Sequence, residues 1–188
     1  MTRHSGRSLV TILVVVLLAA CEQAPDAQPH REPGGERSAI LQTPESIAAE
    51  HRELHETLAR AAAEGGDIAA AAAELEGALS PHFKREEEIA TPPLGLLQPL
   101  AHGNATVEMQ SVLPMTTALE RELPQMLREH EAIRAAVTKF RATAERNDRQ
   151  DYVGFADNLA AHARQEEEIL YPAAILVGRY VDLATSRQ

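Results

Sequence analysis

Apolar side chains return at helical spacing through four stretches of this chain, and glycine, proline or short polar turns separate them. The first begins at Thr43-Pro44-Glu45, which offers an N-cap threonine, a proline for the first turn and an early acid. Ile47, Leu54 and Leu58 keep to one face as far as about Ala63, and Gly65-Gly66 stops the helix. Asp67 is placed to cap a second helix, which runs through an alanine block, Leu75 and Leu79 to Glu86. Pro81 lies inside it and predicts a kink; Pro92-Pro93 predicts its end. Residues 92–115, rich in Leu, Pro and Gly, predict a long connection with a short helix. A third helix is expected from about Thr117 to Glu145 with Pro124 in its first turns, then a turn at Asn147-Asp148. A fourth is expected from about Gln150 to Tyr171, ended by Pro172, with a further short helix over about Ala173 to Leu183. Short links within each pair make neighbours antiparallel. The expected fold is all-α, an up-down-up-down four-helix bundle over residues 43–188.

The first 42 residues carry a different pattern. Arg3 and Arg7 precede an apolar run, Leu9 to Leu18, which is short for a membrane span and is followed by polar sequence. That is the layout of a signal peptide over residues 1–20. Leu18-Ala19-Ala20-Cys21 resembles a bacterial lipoprotein box, so Cys21 is expected to become the lipidated N-terminus. Residues 21–42 then form a flexible tether, in which His30 is a solvated bystander. Glu22 after the cysteine fits release to an outer membrane, which predicts a cell-envelope protein on its periplasmic face.

Composition narrows the partners. A formal net charge of −10 argues against nucleic acid, whose phosphates need a basic face. With Cys21 the single cysteine, an internal disulfide and any thiolate-based metal or redox centre are excluded.

One eleven-residue stretch occurs twice. His82 to Pro92 reads HFKREEEIATP and His162 to Pro172 reads HARQEEEILYP, 80 residues apart. Each copy pairs a histidine with a glutamate four positions on, His82 with Glu86 and His162 with Glu166, so one helix face presents an imidazole and a carboxylate. Upstream of each copy stands a further histidine after a glutamate, His51 after Glu50 and His130 after Glu129. Taken singly, each is an ordinary helix histidine. Together, four imidazoles and two carboxylates in a bundle interior suit a first-row transition metal. Structural zinc usually takes thiolates and calcium takes oxygen alone. Two bridging carboxylates with two imidazoles on each side suit a dinuclear centre of iron or manganese. Each ion would then have four protein ligands and a solvent-derived bridge, leaving about one position for a small ligand.

The ordered set His, His-x-x-x-Glu, His, His-x-x-x-Glu, with Glu, an apolar residue and Pro after each second element, resembles the hemerythrin-like (HHE cation-binding) family over about residues 43–175. The resemblance implies a four-helix bundle with His51, His82, His130 and His162 as terminal ligands and Glu86 and Glu166 as bridges. It implies two non-haem iron ions, with manganese the lesser candidate. Oxygen-carrying hemerythrins use a fifth histidine from a His-x-x-x-His pair on their third helix; here Arg134 stands at that position. His55, four residues after His51, is the one residue able to replace it, though a place in solvent or at the bundle end suits it better. Glu87, Glu88, Glu167 and Glu168 read as a solvated face, one of which could bridge if the register slips; Tyr171 either points its hydroxyl toward the site or, the better fit, packs at the helix end.

Three functions remain open. The first is a binding protein that takes or senses dioxygen, peroxide or nitric oxide, or holds iron; a sensor would need a partner protein in trans. The second is a di-iron redox enzyme, a peroxidase or a protector against nitrosative or oxidative stress. The third is a bundle whose site is vestigial. Family members that repair iron–sulfur clusters carry an N-terminal cysteine segment, and the absence of cysteine after Cys21 argues against that role. No separate substrate pocket or proton relay is legible, so binding is preferred to catalysis.

Overall fold

The computed structural model describes residues 41–186. The signal peptide, Cys21 and most of the tether lie outside the described residues. Four long helical rods carry the fold. Helix α1 spans Glu45–Ala62 and α2 spans Gly66–Ile89. A 3-10 turn at Pro92–Leu96, a short helix α3 at Leu97–Ala101 and a second 3-10 segment at Val107–Val112 make the connection. Helix α4 spans Leu113–Arg146 and α5 spans Gln150–Gln165. A π turn at Glu166–Leu170 leads straight into α6, Tyr171–Thr185. Helix α1 packs on α2, α2 on α4, α4 on α5, and α5 back on α1, which closes a four-membered bundle. Among the described residues no helix is long and apolar enough to cross a membrane.

Tight turns make the pairs antiparallel. Between α1 and α2 the chain reverses through Gly65 at φ 84° and Gly66 at φ 61°, a left-handed conformation that glycine adopts without a Cβ penalty. Between α4 and α5 the reversal uses Asp148 at φ 56°.

Three local expectations are corrected. Thr43 does not cap α1: its Oγ1 meets Thr91 Oγ1 at 2.8 Å, and Pro44, with its fixed φ, occupies the cap position. Asp67 sits inside the first turn of α2 rather than before it, where its charge still favours the helix dipole. Pro172 does not end a helix. The wider π turn pairs Tyr171 N–H with Glu166 O, which places Pro172 in the first turn of α6, where a missing N–H leaves no bond unmade. The first copy of the repeat makes the same wide bond, Thr91 N–H to Glu86 O at 3.0 Å, but Pro92-Pro93 then diverts the chain. Helix α4 also begins earlier than expected, at Leu113, and both it and α2 run on through their interior prolines.

The core is in layers. One apolar cluster near the tight turns includes Leu54, Leu58, Leu79, Phe83, Ile133, Phe140 and Leu159. A second, toward the long connection, includes Ile89, Leu119, Met126 and Tyr171. Each of the four long helices passes from one to the other through a polar residue: His51 on α1, His82 and Glu86 on α2, His130 on α4, His162 on α5 with Glu166 after it. A third cluster, Leu96, Met109, Val112, Val177 and Val181, docks α6 on the connection. There Gly178 lies so close to Thr116 that a Cβ would stand 2.1 Å from Thr116 Oγ1.

Candidate metal centre

The bundle brings together all six residues expected from the repeat. His51, His82, Glu86, His130, His162 and Glu166 are each no more than 3 % exposed. So much polarity between two apolar layers costs free energy unless something satisfies it. The register is the one in which Glu86 and Glu166 point inward. Glu88 is exposed and pairs with Arg85 at 2.7 Å.

The donors sort into two groups. His82, Glu86, His130 and Glu166 form one in which the ligand atoms lie within 4.8 Å of one another; His51, His162 and Glu166 form the other. Glu166 serves both with different oxygens. Its Oε1 lies 2.7 Å from His162 Nε2 and 3.6 Å from His51 Nε2, and its Oε2 lies 3.3 Å from His130 Nε2. Glu86 does likewise, with Oε1 3.7 Å from His82 Nε2 and Oε2 4.0 Å from His51 Nε2. Each carboxylate therefore offers one oxygen to each histidine pair.

Each of the four clustered histidines turns Nε2 inward, and its Nδ1 faces a carboxylate. His82 Nδ1 donates to Glu129 at 2.9 Å and His130 Nδ1 donates to Glu167 at 2.7 Å. His162 Nδ1 lies 3.1 Å from Glu50, and His51 Nδ1 lies 3.7 Å from Glu87. These four follow the internal repeat: Glu50 and Glu129 each precede an upstream histidine, and Glu87 and Glu167 each follow an inward glutamate. Such outer carboxylates fix the ring orientation and tautomer of a metal-binding histidine and raise its basicity. Glu167 is thereby corrected. It belongs not to a solvated face but to His130 and to Arg134, whose guanidinium reaches it at 2.6 Å. Glu129 was missed altogether, although its place before His130, matching Glu50 before His51, was the available signal.

Tyr171 is corrected too. It is fully buried, its ring stacks on His130, and its hydroxyl donates to Glu86 Oε1. The extra residue in the π turn swings it onto the interior face. His55 stays out of the cluster: it is 39 % exposed on its side chain, lies edge-on to Phe83 and faces Glu76 at 3.9 Å. His102 is exposed and donates to Gln98 O.

The electrostatics read as a cation site. Burial and the neighbouring Glu166 push Glu86 well above the usual glutamate range. Burial acts the same way on Glu166, but hydrogen bonding with His130, His162 and His51 outweighs it and holds that carboxyl well below the range. Burial, reinforced by His130, holds His82 below its ordinary value against the pull of Glu129, while Glu166 overcomes burial to raise His162. His82 Nε2 and His130 Nε2 stand 2.8 Å apart, although each ring places a proton on Nδ1 for its carboxylate. Two lone pairs that close call for a positive centre between them. Among the described residues, five buried atoms of the cluster make no hydrogen bond of good geometry, although some lie close to an oppositely charged neighbour: His51 Nε2, both nitrogens of His162, Glu86 Oε2 and Glu166 Oε1. Each such atom costs about 1–3 kcal/mol if nothing satisfies it. A nitrogen and oxygen donor set without thiolate fits a first-row transition metal.

Solvent approaches from one side. A groove of about 710 Å³ lies between α1 and α5, lined by Glu50, Leu54, Tyr152, Phe155 and His162 among others. A second, of about 440 Å³, includes His51, His55 and Glu87.

A four-helix bundle with a buried His and Glu cluster, its carboxylates shared between two histidine pairs, defines a metal-binding bundle protein. The chain belongs to the hemerythrin family: the hemerythrin HHE cation-binding domain matches residues 43–174. Comparison with curated proteins and with solved structures returned no match.

Proposed function

We propose that this protein holds two metal ions, iron in preference to manganese, and binds a small ligand such as dioxygen, peroxide or nitric oxide at the pair. His51 and His162 would hold one ion, His82 and His130 the other, with Glu86 and Glu166 bridging. The observation that carries this reading is the division of oxygens: both carboxylates direct one oxygen to each histidine pair. The five buried atoms without a well-formed hydrogen bond and the opposed nitrogens of His82 and His130 support it.

An iron pair held here would supply reversible binding of a small electron-accepting ligand. The chain's own residues do the rest. Glu129 and Glu167 orient the rings of His82 and His130, while Phe83 packs its ring against His51 and His162 and Tyr171 against His130. The grooves beside His162 and His51 give a small solute its approach. We place the protein at the cell envelope, anchored through a lipid on Cys21, with residues 22–42 spacing the bundle from the periplasmic face of an outer membrane.

The test is the iron content and visible spectrum of the purified protein, first reduced and then exposed to air. The expected result is about two irons per chain and a spectrum that changes on exposure and returns under vacuum. Protein without iron when purified from iron-replete cells, and unable to take it up, overturns the reading.

A further inference from the structure

The two halves of the cluster are built differently. Repeat symmetry places Tyr171 where the first copy has Thr91, and Thr91 spends its hydroxyl on Thr43. Tyr171 thus adds an oxygen to one half only. That oxygen hydrogen-bonds Glu86 Oε1 and lies 3.2 Å from His130 Nε2 and 3.4 Å from His82 Nε2. The two nitrogens are themselves 2.8 Å apart. Donors on one metal, at bonds of about 2.1 Å and between right and tetrahedral angles, stand about 3.0–3.4 Å from one another. The phenol oxygen is therefore spaced from both imidazoles as a fellow ligand would be. Among the described residues no such oxygen stands around the other half, and the five buried atoms without a well-formed hydrogen bond face that side or belong to His162.

We propose that Tyr171 is itself a metal ligand, completing the coordination of the ion held by His82 and His130, so that the position for a small ligand lies on the ion held by His51 and His162. This rests on the two-ion reading above. On metal capture the phenolic O–H bond is exchanged for an oxygen–metal bond, and the proton, which the hydroxyl donates to Glu86 in the hydrogen bond, leaves to solvent. A merely packing role accounts poorly for the hydroxyl. At this depth phenylalanine would fill the same layer without desolvating an oxygen. Access agrees with the assignment, since the two grooves reach His162 and His51 rather than His82 or His130.

The experiment loads wild type and Tyr171→Phe with iron alone, oxidises both in air, and records iron per chain, visible absorption and resonance Raman spectra. Expected are about two irons in each protein. Wild type should show a phenolate-to-ferric charge-transfer band with enhanced tyrosine ring modes, and Tyr171→Phe should lose both. Two irons in wild type without tyrosine modes overturns the ligand role and leaves the two-ion reading standing. No iron in wild type overturns both. Should Tyr171→Phe fail to fold, the ring modes of wild type decide alone, because Tyr152 spends its hydroxyl on Glu64 and Tyr180 is exposed on the surface.

Discussion

Glu167 accepts a hydrogen bond from His130 Nδ1 at 2.7 Å and is itself held by Arg134. That pairing commits the His130 proton to Nδ1 and leaves Nε2 free to face the cluster. The contact has its counterpart across the repeat in Glu87 and His51, looser at 3.7 Å, and the same scheme recurs in Glu129 with His82 and Glu50 with His162. The inward donors and the carboxylates behind them obey one approximate twofold relation.

These outer carboxylates should matter for affinity more than for stoichiometry. Glu167→Gln and Glu129→Gln keep the side-chain shape but weaken the hold on the histidine. Each should lower metal affinity by about 10–100-fold while about two ions still bind at saturation. Glu168→Gln, on an exposed residue of the same run, serves as the control and should change little. Competition against a chelator measures this. Equal affinities in all three variants would remove the outer carboxylates from the site.

The bridges predict the opposite pattern. Because Glu86 and Glu166 each serve both histidine pairs, replacing either with alanine should drop the metal count from about two per chain to one or none. His55→Ala should leave the count unchanged, since His55 lies half in solvent against Glu76. Elemental analysis of the variants, prepared alike, decides. Full occupancy in Glu86→Ala would refute bridging, and metal loss in His55→Ala would make that residue a ligand.

Much of this was legible in the chain, for a physical reason. Helical periodicity ties sequence spacing to direction, so a histidine and a glutamate four apart must share a face, and the duplicated stretch doubled the signal. What the spacing could not carry was a change of helical register. The π turn at Glu166–Leu170 inserts one residue relative to an α-helix, and that shift brings Tyr171 inward and carries the chain past Pro172. Contacts between helices were equally hidden. Glu129 reaches His82 from α4 across to α2, and no local rule announces a partner 47 positions away. Thr43 looked like a cap for the same reason: its real partner, Thr91, lies 48 residues on.

Location has its own test. The proposed lipid anchor depends on one thiol, so Cys21→Ser should move the protein from the membrane fraction to the soluble fraction of the envelope. Fractionation with a blot reads the outcome. A variant that still sediments with membranes would assign the attachment to something other than Cys21.

Metal removal should expose a pH dependence of definite sign. In the metal-free bundle Glu86 is raised by burial and by Glu166, and His162 is raised because Glu166 outweighs burial. A group raised in the folded state contributes stability in full below its unfolded value and loses it as pH rises through the folded one. The chelated protein should therefore lose stability between about pH 5 and pH 8. Glu166, depressed, keeps its contribution over that range and loses it only in stronger acid. His82, lowered, opposes the trend: its contribution is present above its ordinary value and declines as pH falls, which flattens the slope at the acid end. Loaded protein behaves otherwise, because metal competes with protons for the same donors and binds more tightly as they leave. The gap in melting temperature between loaded and chelated protein should thus widen from about pH 5 to pH 8, each kcal/mol adding about 2–4 °C. Thermal denaturation followed by circular dichroism at three pH values measures it. A gap that is constant, or that narrows toward pH 8, would mean that these buried groups do not exchange protons for metal.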